Sequence, residues 1–533
     1  MMHRMGEVSR RLAFGLALAT GLAAQAKAQA NAQDLVVAVK SGPLSMDPHF
    51  HSAGQHASAA RNVFDALVRR GPNMELLPNL ATEWRAVDAT TWEFKLRPDV
   101  LWHDGTPFTA ADVKFSIDRV PSVGGQSGGV RAYTKFISET VVVDAHTVRF
   151  ITTGPAPSMV AELDRVFIVQ ARAAANSDND TFRTGGAAIG TGPYRYVSWE
   201  PKGDLVLEAN DRYWGETKPA FRRVTFREIS NDSARVAALL ANNVDMINYV
   251  PPASMALLER NANLAVVKTP SIYVFMLHPD GRAQSPLVTD NEGRPMAVNP
   301  LRDVRVRRAM SMALNRDAIA RVVMEGMGTP AYQLMPTAFF GIEANPPPLP
   351  FDIAAARRLM AEAGYPQGFR VQLHCTADRL PNDSKLCAAL APMLQQIGIR
   401  LEVNPLPTAV YLTSFTRGEY SLGMHGWGTL TGESTYMLSS LLYTRDGKPG
   451  LGTFNRARYS NPALDAITEK AMATMDQDER RRLLEQGMRM AIDDMALIPI
   501  VNISAVWAVN ARKLRYTARM DEETLAIDAR PAN

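Results

Sequence analysis

Residues 370–406 read "RVQLHCTADRLPNDSKLCAALAPMLQQIGIRLEVNPL", and this stretch carries the pattern that decides the fold class. A strand begins at Arg370 and breaks into a loop. Apolar residues then recur at helical spacing from about 383 to 396, Gly398 stops the helix, and a second strand follows at 400–403. Strand, helix and strand at this spacing predict a βαβ unit with parallel pairing, because parallel strands need a crossover and not a tight turn. Working outward, "SARVAALLANNVDMINYV" reads as a helix from Ser233 feeding a strand near 245–250, and "DLVVAVK" at 34–40 reads as a short strand. "TWEFKLR" at 91–97 and "HTVRFIT" at 146–152 alternate with period two, as half-exposed strands do. The fold class is therefore mixed α/β with some antiparallel sheet. Neither an internal repeat nor the eightfold strand–helix alternation of a barrel enzyme is present. A chain of 533 residues, 46% of them hydrophobic, exceeds a single core, so two or three domains are expected.

Residues 1–30 have the form of an export signal. Arg4, Arg10 and Arg11 precede an apolar run at 12–24, and the overlapping sites Ala26-Lys27-Ala28 and Ala28-Gln29-Ala30 predict cleavage after Ala28 or Ala30. No cysteine follows either site, so a lipid anchor is not expected. No later apolar run reaches the ~18 residues a membrane-spanning helix needs. The leader holds Arg4, Arg10, Arg11 and Lys27 against Glu7, so the formal charge of +4 falls to about +1 in the mature chain. That near-neutral balance argues against a nucleic-acid partner. "VRVRRAM" at 304–310 is read as a helix with a solvated basic face. Cys375 and Cys387 are the only cysteines. In an exported protein, two cysteines twelve apart across a loop read as a disulfide contributing on the order of 3 kcal/mol, with two buried thiols as the alternative.

Several segments imitate catalytic motifs. In "LWHDGTPFTAADV" at 101–113, His103 and Asp104 stand side by side, yet Asp104-Gly105 is turn chemistry and Thr109 with Asp112 has the spacing of a capping box. Gly125-Gln126-Ser127-Gly128-Gly129 matches a nucleophile elbow formally, but no buried strand delivers the serine. "TGGAAIGTGPY" at 184–194 lacks the Gly-Lys-Ser/Thr ending of a phosphate loop. His49, His51 and His56 lie close together and offer imidazole nitrogens for zinc or nickel, with Asp47 the one nearby carboxylate. A secreted metal-dependent hydrolase is therefore the alternative from a different class. No nucleophile, base and metal cage assemble, which makes binding without chemistry the default, with no cofactor expected.

Seven ordered segments then make a pattern: "SMDPHFHSAGQHASAARNVFDALVRR", "LLPNLATEWRAVDATTWEFKLRPDVLWHDGTPFTAADVKFSIDRV", "GTGPYRYVSWEP", "NDSARVAALLANNVDMI", "NPLRDVRVRRAMSMALNRDAI", "RYSNPALDAI" and "MALIPIV". Together they resemble the extracellular solute-binding proteins of ABC importers, in the peptide and nickel group known as family 5. The resemblance implies a two-lobed periplasmic clamp of type II, like cluster C, with mixed sheets, an inserted domain and hinge closure over the solute. It places domain I at 31–79, 199–292 and 504–533, the inserted domain II at 80–198, and domain III at 293–503. It also implies a monomer that delivers a peptide or similarly sized organic solute to a permease and ATPase complex. A nickel-complex or haem carrier is the alternative within the same fold. The expected ligand contacts are Trp427, Gly428, Thr429, Thr431 and Glu433 in "HGWGTLTGES" at 425–434, His49 and His51 in the loop after the first strand, and His278 in "SIYVFMLHPD" at 271–280. Glycines let a backbone approach a ligand, tryptophan gives a rigid apolar face, and Thr429, Thr431 and Glu433 supply polar tips. Peptide binders of the family place an aspartate three residues after that tryptophan, where this chain has Leu430; either Glu433 replaces it from one turn further on, or the ligand lacks an amino terminus.

Overall fold

The computed structural model describes residues 34–123, 130–448 and 450–532. The leader at 1–30 and the formal nucleophile-elbow match at 125–129 lie outside the described residues.

The predicted βαβ unit is present. Strand Phe369–Thr376 pairs in parallel with Ile399–Leu406, and helix Asp383–Gln395 connects them. The helix packs Leu386, Cys387, Leu390 and Leu394 inward, the one-sided spacing of an amphipathic helix. Each such leucine stabilises the fold by about 2 kcal/mol through burial. Gly398 ends the connection at φ +86°, and a Cβ on its neighbour Gly368 would lie 2.0 Å from the Gly398 carbonyl oxygen. Only glycine lets the two strands start this close together. Cys375 and Cys387 form a disulfide that ties the strand to the helix, Cα to Cα 6.3 Å. Replacing both with serine is expected to lower stability by about 3 kcal/mol, read from the urea midpoint; an unchanged midpoint would remove the disulfide from the stabilising contacts.

A single twelve-stranded sheet runs through two lobes. In the first lobe, Asp34–Val39 pairs in parallel with both Arg223–Glu228 and Met246–Asn248. Met246–Asn248 then lies antiparallel to the long strand Ile498–Asn510, and that strand to Leu264–Pro279. In the second lobe, Leu264–Pro279 continues antiparallel to Leu422–Gly428, which is parallel to Phe369–Thr376. Two long strands therefore serve two cores. Trp507 and Val509 pack with Leu35, Phe64 and Phe226, whereas Phe275, Leu277, Ile498 and Ile500 pack with Met310, Leu373 and Leu390. Where the cores change over, Pro270 faces Ser504 and Val274 faces Asn502, so Ser271, Ile272 and Tyr273 oppose Ile503 alone. A bulge of this kind bends a strand and re-aims its side chains.

A separate four-stranded antiparallel sheet, in the order Ala81–Asp88, Thr91–Leu96, Thr147–Thr152 and Ile137–Asp144, has its own core around Phe94, Trp102 and Phe150. The alternating strands read at 91–97 and 146–152 lie in its centre.

The basic run at 304–310 is helical, within Val304–Met312, but its face is not simply solvated. Arg307 is buried, with an ion pair to Asp494 at 2.8 Å, and Arg308 donates to the Asp493 carbonyl oxygen at 2.7 Å. Both cations cap the C-terminus of helix Gln477–Asp493, where the helix dipole favours positive charge.

Candidate functional site

The motifs that imitate active sites are scaffold. His103 bonds the Gly192 carbonyl oxygen through Nε2 at 3.0 Å and accepts from the Gly190 amide at Nδ1, 3.2 Å, so both nitrogens are used. Asp104 accepts from Thr106 and pairs with Arg172 at 2.7 Å. Thr109 and Asp112 form the predicted capping box at the start of helix Ala110–Arg119. In the glycine-rich segment, a Cβ at Gly190 would stand 1.8 Å from the Val63 carbonyl oxygen, so its glycine serves close packing.

The loop histidines do not converge on a metal. His49 is buried, bonds the Phe167 carbonyl oxygen at 2.7 Å and lies 3.1 Å from the Arg119 guanidinium. Asp47 is held in an ion pair with Arg119 at 2.6 Å. His51 Nδ1 accepts from the Ala53 amide at 2.9 Å, just ahead of helix Gly54–Arg61, and His56 points back to the Asp47 carbonyl oxygen. Among the described residues, no three metal-ligating side chains gather at one point. His278 is also a core residue: its ring stacks on His425 at 4.0 Å and meets the edge of Phe415. Burial pushes the His49 and His56 imidazoles down to about 4 and His278 down to about 3, which keeps all three neutral.

The Gly-Trp segment is the end of strand Leu422–Gly428 and the turn that follows it. Its glycines admit protein side chains: a Cβ at Gly426 would meet Leu380 at 2.2 Å, and one at Gly428 would meet the Tyr273 ring at 2.7 Å. Trp427 stays half-buried, stacked on Tyr436 and tilted against Phe454, with ring centroids 5.9 and 5.3 Å away. Trp427 Nε1, Thr429 Oγ1 and Thr431 Oγ1 are buried and have no hydrogen-bond partner among the described residues. Glu433 is not free, because Arg480 donates to its Oε1 at 2.6 Å and to Thr435 Oγ1 at 2.7 Å. This corrects the expectation that Glu433 stands in for the missing aspartate: a carboxylate locked to a buried guanidinium is not available to a ligand cation.

A cavity of about 690 Å³ lies between the lobes. It is lined by Lys40 and the Asn248–Ala253 segment, by residues 377–385 of the βαβ unit and by Ile503–Trp507 at the strand crossing. The loop of that unit sits beyond the carboxyl end of a parallel strand, the usual ligand position in such sheets. Arg379 on this loop forms no ion pair with any described residue. That carboxyl-end rule was the signal in the sequence that would have found Arg379, which the reading from motifs missed.

Two lobes joined by a bulged strand crossing, with a cavity between them, are the architecture of a two-lobed binding protein. Residues 75–449 match the bacterial extracellular solute-binding proteins, family 5 middle. The chain is 30% identical over 495 residues to the glutathione-binding protein GsiB of Pectobacterium atrosepticum, covering 91% of each chain. Among solved structures, DppA of Helicobacter pylori in complex with the peptide STSA is 23% identical, with a TM-score of 0.70 over 94% of this chain and 98% of that one. HbpA2 of Haemophilus parasuis is 21% identical, with a TM-score of 0.78 over 93% and 99%. The chain belongs to the family 5 extracellular solute-binding proteins. It is the solute-binding component of an ABC importer and not an enzyme. The family is periplasmic and works with permease and ATPase components. No helix among the described residues is long and apolar enough to cross a membrane.

Proposed function

We propose that this protein captures a small peptide, glutathione or one of similar size, between its lobes and presents it to the permease. The observation that carries the reading is the cavity of about 690 Å³ lined by residues of both lobes, among them Arg379, whose guanidinium forms no ion pair with any described residue. A peptide supplies both donors and acceptors along one edge, and the name of the Pectobacterium relative points to the same class of solute. The nickel and haem readings lose support, because the histidines they relied on are committed to protein contacts. Arg379, on the lining of that cavity, is the group suited to the ligand's carboxylate.

The reading keeps the three-part division drawn from the sequence as a proposal, with one change: the boundary between the first and third domains is drawn at the 271–273 bulge and not after residue 292, a choice supported by the change of cores there. Closure about that bulge in a monomer, after removal of a leader ending at Ala28 or Ala30, completes the reading.

Isothermal titration with glutathione and a panel of tripeptides tests it. Saturable one-to-one binding is expected, and Arg379→Ala, which removes a cavity-lining guanidinium with no ion pair among the described residues, should weaken it about 100-fold without moving the melting temperature. A protein that ignores every peptide yet co-purifies with a sugar, an opine or a nickel complex would overturn the assignment.

A further inference from the structure

Four carboxylates line the inter-lobe cavity. Asp232 is ion-paired with Arg235 at 2.7 Å, while Asp378 accepts from Thr408 at 2.6 Å and Asp383 from the Arg379 amide at 3.0 Å, each at the start of a helix. Glu522 likewise has no ion-paired cation among the described residues, and it sits at no helix start. Its Oε1 accepts from Ser271 Oγ at 2.5 Å, and the Tyr249 hydroxyl also bonds it. Its neighbours in the chain differ: Asp521 is taken by Arg519, and Glu523 by Arg61 and Arg165.

The backbone around Glu522 is unusual in the same place. Glu522 adopts φ +63° and Tyr249 φ +47°, left-handed conformations that bulky side chains rarely hold. Strain of this kind persists where the surroundings hold a side chain for a task. Both residues aim at one point. Ser271 is the first residue of the strand bulge, and the next amide, that of Ile272, donates to the Met520 carbonyl oxygen at 3.0 Å. The bulge is thus tied to the tail that carries Glu522, one residue from the Tyr273–Gly428 pair of the Gly-Trp strand.

We propose that Glu522, positioned by the Ser271 and Tyr249 hydroxyls, is the anion that receives the ammonium group of the solute. The lining of the cavity then offers the Glu522 carboxylate and the guanidinium of Arg379, neither ion-paired with a described residue. That arrangement selects a dipolar solute bearing both a free amine and a carboxylate. The inference rests on reading this cavity as the solute cleft and narrows the solute to amines. Burial pushes the empty Glu522 carboxyl above the usual range, as expected of an anion awaiting its cation.

The test is titration of wild type and Glu522→Gln with glutathione, a free-amino tripeptide, its N-acetylated form and the diamine putrescine. Gln keeps the side-chain length and the hydroxyl partners while removing the charge; Glu522→Asp serves as a second variant that keeps the charge. Wild type is expected to prefer the free amine to the acetylated peptide, and Glu522→Gln to lose about 100-fold on the free amine and little on the acetylated form. Glu522→Asp should recover part of the loss. If no peptide binds but putrescine does, with the same loss in Glu522→Gln, the peptide reading fails and the Glu522 assignment holds. Equal preference for free and acetylated peptide in wild type and Glu522→Gln, or no binding of any amine to wild type, overturns it.

Discussion

Lowering the pH from 6.5 to 4 is expected to unfold this protein or bring it to the edge of unfolding. His49, His56 and His278 are buried as neutral rings, with folded values pushed by burial to about 4, about 4 and about 3. In the unfolded chain each takes a proton near 6.5. Since the folded values are depressed, the unfolded chain binds more protons in between. Stability is full above pH 6.5 and falls as pH drops toward the folded values. Each histidine costs about 1.4 kcal/mol per pH unit across that window, so the three together approach 4 kcal/mol per unit. Two such units, about 8 kcal/mol, are comparable with a typical total stability of about 5–15 kcal/mol. Urea midpoints measured from pH 7 to 4.5 should decline steeply. His278→Phe should make the decline shallower, since a phenyl ring keeps the stack on His425 and cannot take a proton. Midpoints that stay level down to pH 4.5 would show that these rings are protonated without penalty.

Arg480→Met is expected to destabilise the protein by about 3–5 kcal/mol. Arg480 is 1% exposed and Glu433 5% exposed, and removing the guanidinium leaves a buried carboxylate without its ion-pair partner. The guanidinium also lies 5.2 Å from the Phe340 ring centroid, and Phe340 brackets the turn through the Gly432 carbonyl oxygen and the Ser434 amide. The loss therefore falls on the turn that follows Trp427. The double variant Arg480→Met with Glu433→Met should regain most of the stability, because neither charge is then stranded. A single variant within 1 kcal/mol of wild type in urea unfolding would mean that water or relaxation already screens Glu433.

The difference between Glu433 and Glu522 shows how far the sequence could be read. Both are acidic residues in polar runs, "TGES" and "MDEET", and nothing in their spacing separates them. Arg480 lies 47 residues after Glu433 and neutralises it, whereas Glu522 meets Ser271 from 251 residues away and meets no cation among the described residues. The histidines repeat the lesson. Their clustering at 49–56 suggested a ligand set, but the Phe167 carbonyl oxygen and Arg119 arrive from the inserted unit and use His49 internally.

What the sequence determined by itself was whatever depends on neighbours in the chain. Apolar spacing and Gly398 specified the βαβ unit at 370–406, Thr109 and Asp112 the helix cap, and period-two alternation the inner strands of the inserted sheet. Each follows from local backbone geometry and from which face a side chain must bury. Only the tertiary structure decided that two strands pass through both lobes, that the crossing bulges at Ser271, and which charges remain unpaired in the cavity. Counter-ions are set by distance in space, and a chain folded across two lobes brings together charges whose separation in sequence carries no trace of their meeting.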